Sequence, residues 1–194
     1  MEKAKITVMG SFVVDLMSRT PHLPVKGETV KGSTFKLGPG GKGSNQGVAA
    51  QRAGADVTMI TKLGKDDFAE IALKSFKNEG MDTKFVFQDE KYSTGAALIM
   101  VDEKTSENEI VVVPGACSNI TDKDIKMAKE SIENSKVFLT QLETNVDAVE
   151  KAVDIAYKNG VTVVLNPAPV QEISDELYKK IDVLTPNEVE ASIL

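Results

Sequence analysis

Residues 136–169 read KVFLTQLETNVDAVEKAVDIAYKNGVTVVLNPAP. A short apolar run, a helical run and a second apolar run follow in that order. Strand, helix, strand is the order of a right-handed βαβ unit, which lays its two strands parallel in one sheet. The alternation extends to both sides. TDKDIKMAKESIENS (121–135) reads as a capped helix, SDELYKKI (174–181) as a short helix and DVLTPNE (182–188) as a further strand. Nearer the N-terminus, KITVMG (5–10) reads as a buried strand, SNQGVAAQRAG (44–54) as a helix closing on Gly54, and DVTMITKLG (56–64) as a strand. DDFAEIALKSFKNEG (66–80) opens on acids and sets Phe68, Ile71, Ala72, Ser75 and Phe76 on one face. It closes on Gly80, as an amphipathic helix does.

Three runs break the alternation. KFVFQD (84–89), TGAALIMVD (94–102) and NEIVVVPG (108–115) succeed one another with no helix between them. ETVKGSTFKL (28–37) alternates polar and apolar residues, as a half-exposed strand does. Together they point to a small separate sheet standing off the main one. The expected fold class is α/β: a mostly parallel sheet with helices on both faces, plus a small β-sheet.

Composition narrows the function. Hydrophobic residues make up 41% and charged residues 27% of the 194, the balance of an ordinary globular domain. Net charge is −6, which argues against a nucleic-acid surface. No apolar run reaches the ~18 residues of a membrane helix, and the N-terminus lacks the apolar core of a signal peptide. Cys117 is the only cysteine, so no intrachain disulfide forms, which fits a reducing cytoplasm. His22 is the only histidine and lies in a TPHLP turn, which disfavours a Ser-His-Asp triad and removes His-rich zinc sites.

GPGGKGSNQ (38–46) invites a phosphate-loop reading. The P-loop spacing fails, because Gly43 follows Lys42 and Lys36 stands five positions before Gly41. Gly38-x-Gly40-x-x-Gly43 matches a dinucleotide fingerprint, but the strand before it alternates and Pro39 interrupts it. What remains is a glycine turn running into a helix start, able to present N–H groups to any oxygen-rich ligand. Asn45 and Gln46 add side-chain donors and acceptors. The alternative is a tight strand-to-helix turn that simply needs glycine. A second group sits past strand ends: Glu143, Asn166, and Asn187 with Glu188, joined by Asp15 after the first strand. Each alone suits a cap or a turn. Together they suit a polyhydroxylated ligand beyond the carboxyl ends of a parallel sheet.

GSFVVD (10–15), GGKGSNQ (40–46), STGAAL (93–98), QLE (141–143), NPAP (166–169) and TPNEVE (185–190) resemble, in order and spacing, the ribokinase-like (PfkB) carbohydrate kinases. The resemblance implies an ATP-dependent kinase acting on a hydroxyl of a pentose such as ribose. Asp15, Gly41, Lys42, Asn45 and Glu143 would line the sugar site, with Ile110 an apolar contact from the lid. Asn187 would face the nucleotide phosphates and Glu190 would position Mg²⁺ through water, with K⁺ as a further cation. The lid strands, approximately 12–37 and 93–113, would close over sugar and join two copies in a cytoplasmic homodimer. Small-molecule sugar and ATP are the implied partners, with no nucleic acid and no membrane.

Two departures qualify this. Val13 stands where the family commonly has Asn, two residues before the sugar-binding aspartate. The family's Gly-Ala-Gly-Asp segment, which carries the phosphate anion hole and the catalytic base, has no counterpart; AGAD (53–56) has the wrong order and ends a helix. The expectation is an incomplete domain over 1–194, the nucleotide-binding C-terminal part absent, the base beyond residue 194 and the fragment inactive alone. A kinase for another sugar or a nucleoside, or a non-catalytic sugar-binding or dimerisation fragment, are the alternatives.

Overall fold

The computed structural model describes residues 3–194. Its elements in chain order are β1 (Lys5–Met9), β2 (Val13–Thr20), β3 (Thr34–Gly40), α1 (Lys42–Arg52), β4 (Asp56–Gly64), α2 (Asp67–Asn78), β5 (Asp82–Asp89), β6 (Thr94–Asp102), β7 (Asn108–Gly115), α3 (Asp122–Glu133), β8 (Val137–Gln141), α4 (Val146–Lys158), β9 (Thr162–Asn166), α5 (Asp175–Tyr178), β10 (Val183–Leu184) and α6 (Glu188–Ile193). The main sheet has the order β10-β9-β8-β1-β4-β5 and is parallel throughout. The smaller sheet has the order β3-β2-β6-β7, with β2 and β6 parallel and the outer pairs antiparallel.

Strand pleating sorts the core into two layers. Val8 and Met59 face one side with Ala69, Ala72 and Phe76 of α2. Their neighbours Met9 and Ile60 face the other, with Ile125 and Ile132 of α3 and Val149 and Val153 of α4. Helices therefore cover both faces of the main sheet. Two of the helices begin where the sequence supplies caps: Asp66 Oδ1 accepts from Ala69 N at 3.0 Å, and Thr121 forms a capping box with Asp124. Phe12, just before β2, meets Phe76 edge-on at 5.7 Å, and Val14 is fully buried in the same layer. The base of the smaller sheet is thus fastened to the α2 side of the main one.

Three local readings change. KFVFQD belongs to β5, the edge of the main sheet beside β4, and not to the smaller sheet. The chain leaves the main sheet after Asp89 without forming a helix, so an absent helix marks a change of sheet one strand too early. The strand expected at 28–37 starts only at Thr34 and continues through Pro39 to Gly40. As an edge strand it tolerates a proline. The strand at 182–188 shrinks to the two residues of β10.

Candidate active site

The glycine turn is built by close packing. Gly41 has φ 91°, and a Cβ there would come within 2.9 Å of Phe12 Cα. Gly43 lies against the end of β1, where a Cβ would approach Gly10 Cα to 2.6 Å. This seats the N-terminus of α1 directly on the carboxyl end of β1, and Ser44 N donates to Ser11 O at 2.9 Å. Lys42 begins the helix, two residues earlier than its composition suggests.

Glu143, two residues past β8, meets that helix start. Its Oε2 accepts from Lys42 N at 2.9 Å and from the Ser11 hydroxyl. An anion at a helix N-terminus is favoured by the peptide dipoles. Asp15 lies on β2, not past the end of β1 as the sequence suggests, and sits over Gly40, where a Cβ would come 2.5 Å from its carboxyl carbon. Burial and, secondly, the Glu143 charge push the Asp15 carboxyl above its usual range. Two carboxylates and the Lys42 backbone therefore converge on one helix start.

A cavity of about 640 Å³ opens beside this group. Ser11, Val13, Lys42, Val112, Glu143 and Glu190 are among its lining residues. Cys117 also lines it, donates to Pro114 O at 3.0 Å and has its thiol pushed up to about 12, by burial first and the Glu143 charge second. It stays a protonated thiol at neutral pH.

The remaining expected residues divide. Asn45 is exposed in the first turn of α1, outside the cavity lining. Ile110 pairs with Ile99 near the outer part of β7, and Val112, two residues along the same face, lines the cavity in its stead. Asn187 and Glu190 are bound to each other. Asn187 Oδ1 accepts from Glu190 N at 2.7 Å and Glu190 Oε2 accepts from Asn187 N at 2.9 Å, a capping box that starts α6. Glu190 still reaches the cavity. Gln46 and Asn166 face each other: Gln46 Nε2 donates to Asn166 Oδ1 at 3.4 Å, and Asn166 Nδ2 donates to Thr185 O at 2.7 Å. Sequence reading missed Ser11 and the fully buried Gln141, which donates to Gln46 Oε1 at 2.5 Å. A polar residue closing an apolar strand was the available signal for Gln141. Among the described residues no group of three or more acidic, His or Cys side chains forms a metal cage, and no helix is long and apolar enough to cross a membrane.

Comparison with known proteins shows the family. The model of the pfkB family carbohydrate kinases matches residues 3–194. A ribokinase from Haemophilus influenzae is 44% identical over 97% of the chain, and a deoxyribokinase from Salmonella typhi is 38% identical over 97%. A solved structure of Arabidopsis thaliana ribokinase complexed with ribose and ATP superposes over 99% of the chain with a TM-score of 0.85 at 27% identity. The chain spans 61%, 62% and 62% of the lengths of these three proteins.

Proposed function

The chain belongs to the pfkB family of carbohydrate kinases, and on that premise we propose that it carries the sugar-holding part of an ATP-dependent pentose kinase. The observation that carries the proposal is the convergence of Asp15, Glu143 and Lys42 at one helix start, where Lys42, Glu143 and Glu190, though not Asp15 or Gly41, line a cavity. Asp15 would accept hydrogen bonds from sugar hydroxyls, with charge-assisted strength. Gly40 and Gly41 let the chain come close to sugar without side-chain obstruction, and Asn45 would swing in from the exposed first turn. Glu143 would hold the α1 start in place while facing the sugar. The names of the ribokinase and deoxyribokinase relatives support a pentose.

Asn187 would face the nucleotide phosphates, and Mg²⁺ would arrive with them. A single carboxylate such as Glu190 suits an ion held mainly by phosphates and water. That ion would neutralise charge on the transferring phosphoryl group. No Gly-Ala-Gly-Asp segment occurs in the 194 residues, so no base is assigned here and turnover by these residues alone is not expected. An ATP-consuming reaction of this kind would fit the cytoplasm. The lid sheet supports pairing with a second copy. Phe35, Leu98 and Val111 are exposed on one face, Ile110 and Val112 on the other, and β3 and β7 leave free edges.

Calorimetric titration of the 194 residues with ribose, followed by a coupled ATP-consumption assay with Mg²⁺ and with K⁺ varied, tests the reading. Saturable sugar binding without turnover is expected; absence of saturable pentose binding overturns it. For the lid, light scattering should report a discrete dimer that Val111→Glu or Ile110→Glu converts to a folded monomer. A monomeric parent, or a dimer that survives both substitutions, ends the pairing idea.

A further inference from the structure

Gln46 and Asn166 belong to a chain of side-chain amides laid along the carboxyl edge of the main sheet. Gln141 and Asn166 close β8 and β9 and stand side by side in register. Gln46, from α1, bridges them. Its Oε1 accepts from Gln141 Nε2 at 2.5 Å, and its Nε2 donates to Asn166 Oδ1 at 3.4 Å. Asn166 Nδ2 then donates to Thr185 O at 2.7 Å. The amides all donate in the same sense, an arrangement in which hydrogen bonds polarise one another.

The carbonyl at the end fixes every orientation before it. Thr185 O can only accept, so Asn166 turns its nitrogen to it and its oxygen back. Gln46 must then present nitrogen to Asn166 and oxygen to Gln141. At the far end Gln141 Oε1 is buried and, among the described residues, finds no donor; it lies against Gly10, where a Cβ would overlap it. Thr185 is also the root of the turn that carries Asn187 and Glu190. Its N–H donates to Leu165 O at 3.0 Å. Beyond it Pro186 has no N–H, Asn187 N is spent on Glu190, and α6 has no buried residue. The Asn166 amide thus fastens this turn to β9, and Gln46 decides which way that amide faces.

We infer that Gln46 is a positioning residue: through Asn166 it holds the turn at 185–187 in place relative to the start of α1. Lys42 and Glu190 line one cavity from these two turns. The chain of amides therefore sets the gap between the groups assigned above to sugar and to phosphates, a consequence that rests on that assignment.

Gln46→Glu tests the residue, since it keeps size and helix propensity but removes the donor. The new carboxylate accepts from Gln141 and from a turned Asn166, which brings Asn166 Oδ1 against Thr185 O. Exchange of the Thr185 and Ala191 amides, bonded to Leu165 O and Asn187 O, should quicken roughly 3- to 10-fold, as for the loss of one hydrogen bond. Gln46→Met, which breaks the link without turning Asn166, should quicken them less. Asn166→Ala should act like Gln46→Glu, and the double variant should exchange no faster than Asn166→Ala alone, because Gln46 reaches Thr185 only through Asn166. Should Gln46→Glu fail a thermal melt, the same cycle is read with Gln46→Met. Factors that multiply in the double variant, or exchange at Thr185 unchanged in the folded single variants, overturn the inference. Ribose titration of the unvaried chain keeps the two readings apart: failure to saturate overturns the sugar reading and the meaning given to the gap, while the exchange cycle, which involves no sugar, still decides whether Gln46 positions the turn.

Discussion

Gly43 and Ser44 are buried in the turn that opens α1, whereas Val189 and Ile193, in the helix that opens after Asn187, are exposed. Both turns stand at the carboxyl edge of the main sheet and both border the same cavity. The first is held by the core: Gly43 packs on Gly10, and Ser11 and Glu143 tie the helix start to β8. The second hangs from the two exposed residues of β10 and is held by the local Asn187–Glu190 box, with no buried residue in α6. Within these 194 residues one edge of the cavity is packed into the core, and the other is held chiefly by a helix cap. The pre-shaped edge is the one to which a sugar is assigned. A rigid first contact lowers the ordering cost of binding.

The sharpest way to break this contrast is Gly43→Ala. The added methyl meets backbone at Gly10 and Ser11, which cannot step aside. Overpacking of this kind costs about 1–3 kcal/mol or more, or roughly 2–12 °C in Tm for a chain of this size. An unchanged melting temperature would mean that the turn is looser than its packing indicates.

Asp15→Asn separates binding from stability. Losing a charge-assisted bond should weaken sugar binding about 10- to 100-fold, corresponding to roughly 1.5–3 kcal/mol. Stability of the sugar-free chain should move the other way. Because the folded carboxyl is raised above 3.8, Asp15 favours the folded state most below that value, and this contribution is lost as pH rises through the folded pKa. At pH 7 the neutral amide should therefore raise Tm slightly, and the gain should vanish in acid below 3.8. Melts of both proteins across pH check the sign; a Tm deficit for the mutant at pH 7 contradicts it.

The smallest effect belongs to the other turn. Asn187→Ala removes the cap of α6, worth about 1 kcal/mol to the helix. Faster amide hydrogen exchange across residues 188–193 is expected, with global Tm nearly unchanged. A Tm loss comparable to that of Gly43→Ala would erase the distinction between the two turns.

Much of the architecture was legible because its signals are local. The apolar runs of β1, β4, β8 and β9 and the caps at Asp66 and Thr121 announce themselves within a few residues. β5 was misassigned because sheet membership is a long-range property: KFVFQD reads the same beside β4 as it would beside β6. In the site, Glu143 was legible as a strand end and Lys42 as part of a glycine turn running into a helix, whose start the composition put two residues later. Their meeting across 101 positions was not. Gln46 and Asn166 looked like free polar groups because nothing in sequence reveals that each completes the other. Asn187 and Glu190 carry a spacing that serves a capping box as readily as a ligand, and the pair adopts the box.

The central pair of the smaller sheet has a consequence for the order of folding. β2 and β6 belong to two separate excursions from the main sheet, and the Ser18 hydroxyl donates to Ile99 O across 81 positions. Closing so long a loop is entropically costly until other contacts have brought its ends together. Those contacts are Phe12 on Phe76 and Val14 within the α2 layer. The smaller sheet should therefore assemble late, with Leu98 and Val111 unformed in the transition state. Lesions there would hasten unfolding and leave the refolding rate almost untouched. Its sequence is then free to vary for recognition without slowing the path by which the rest of the molecule is made.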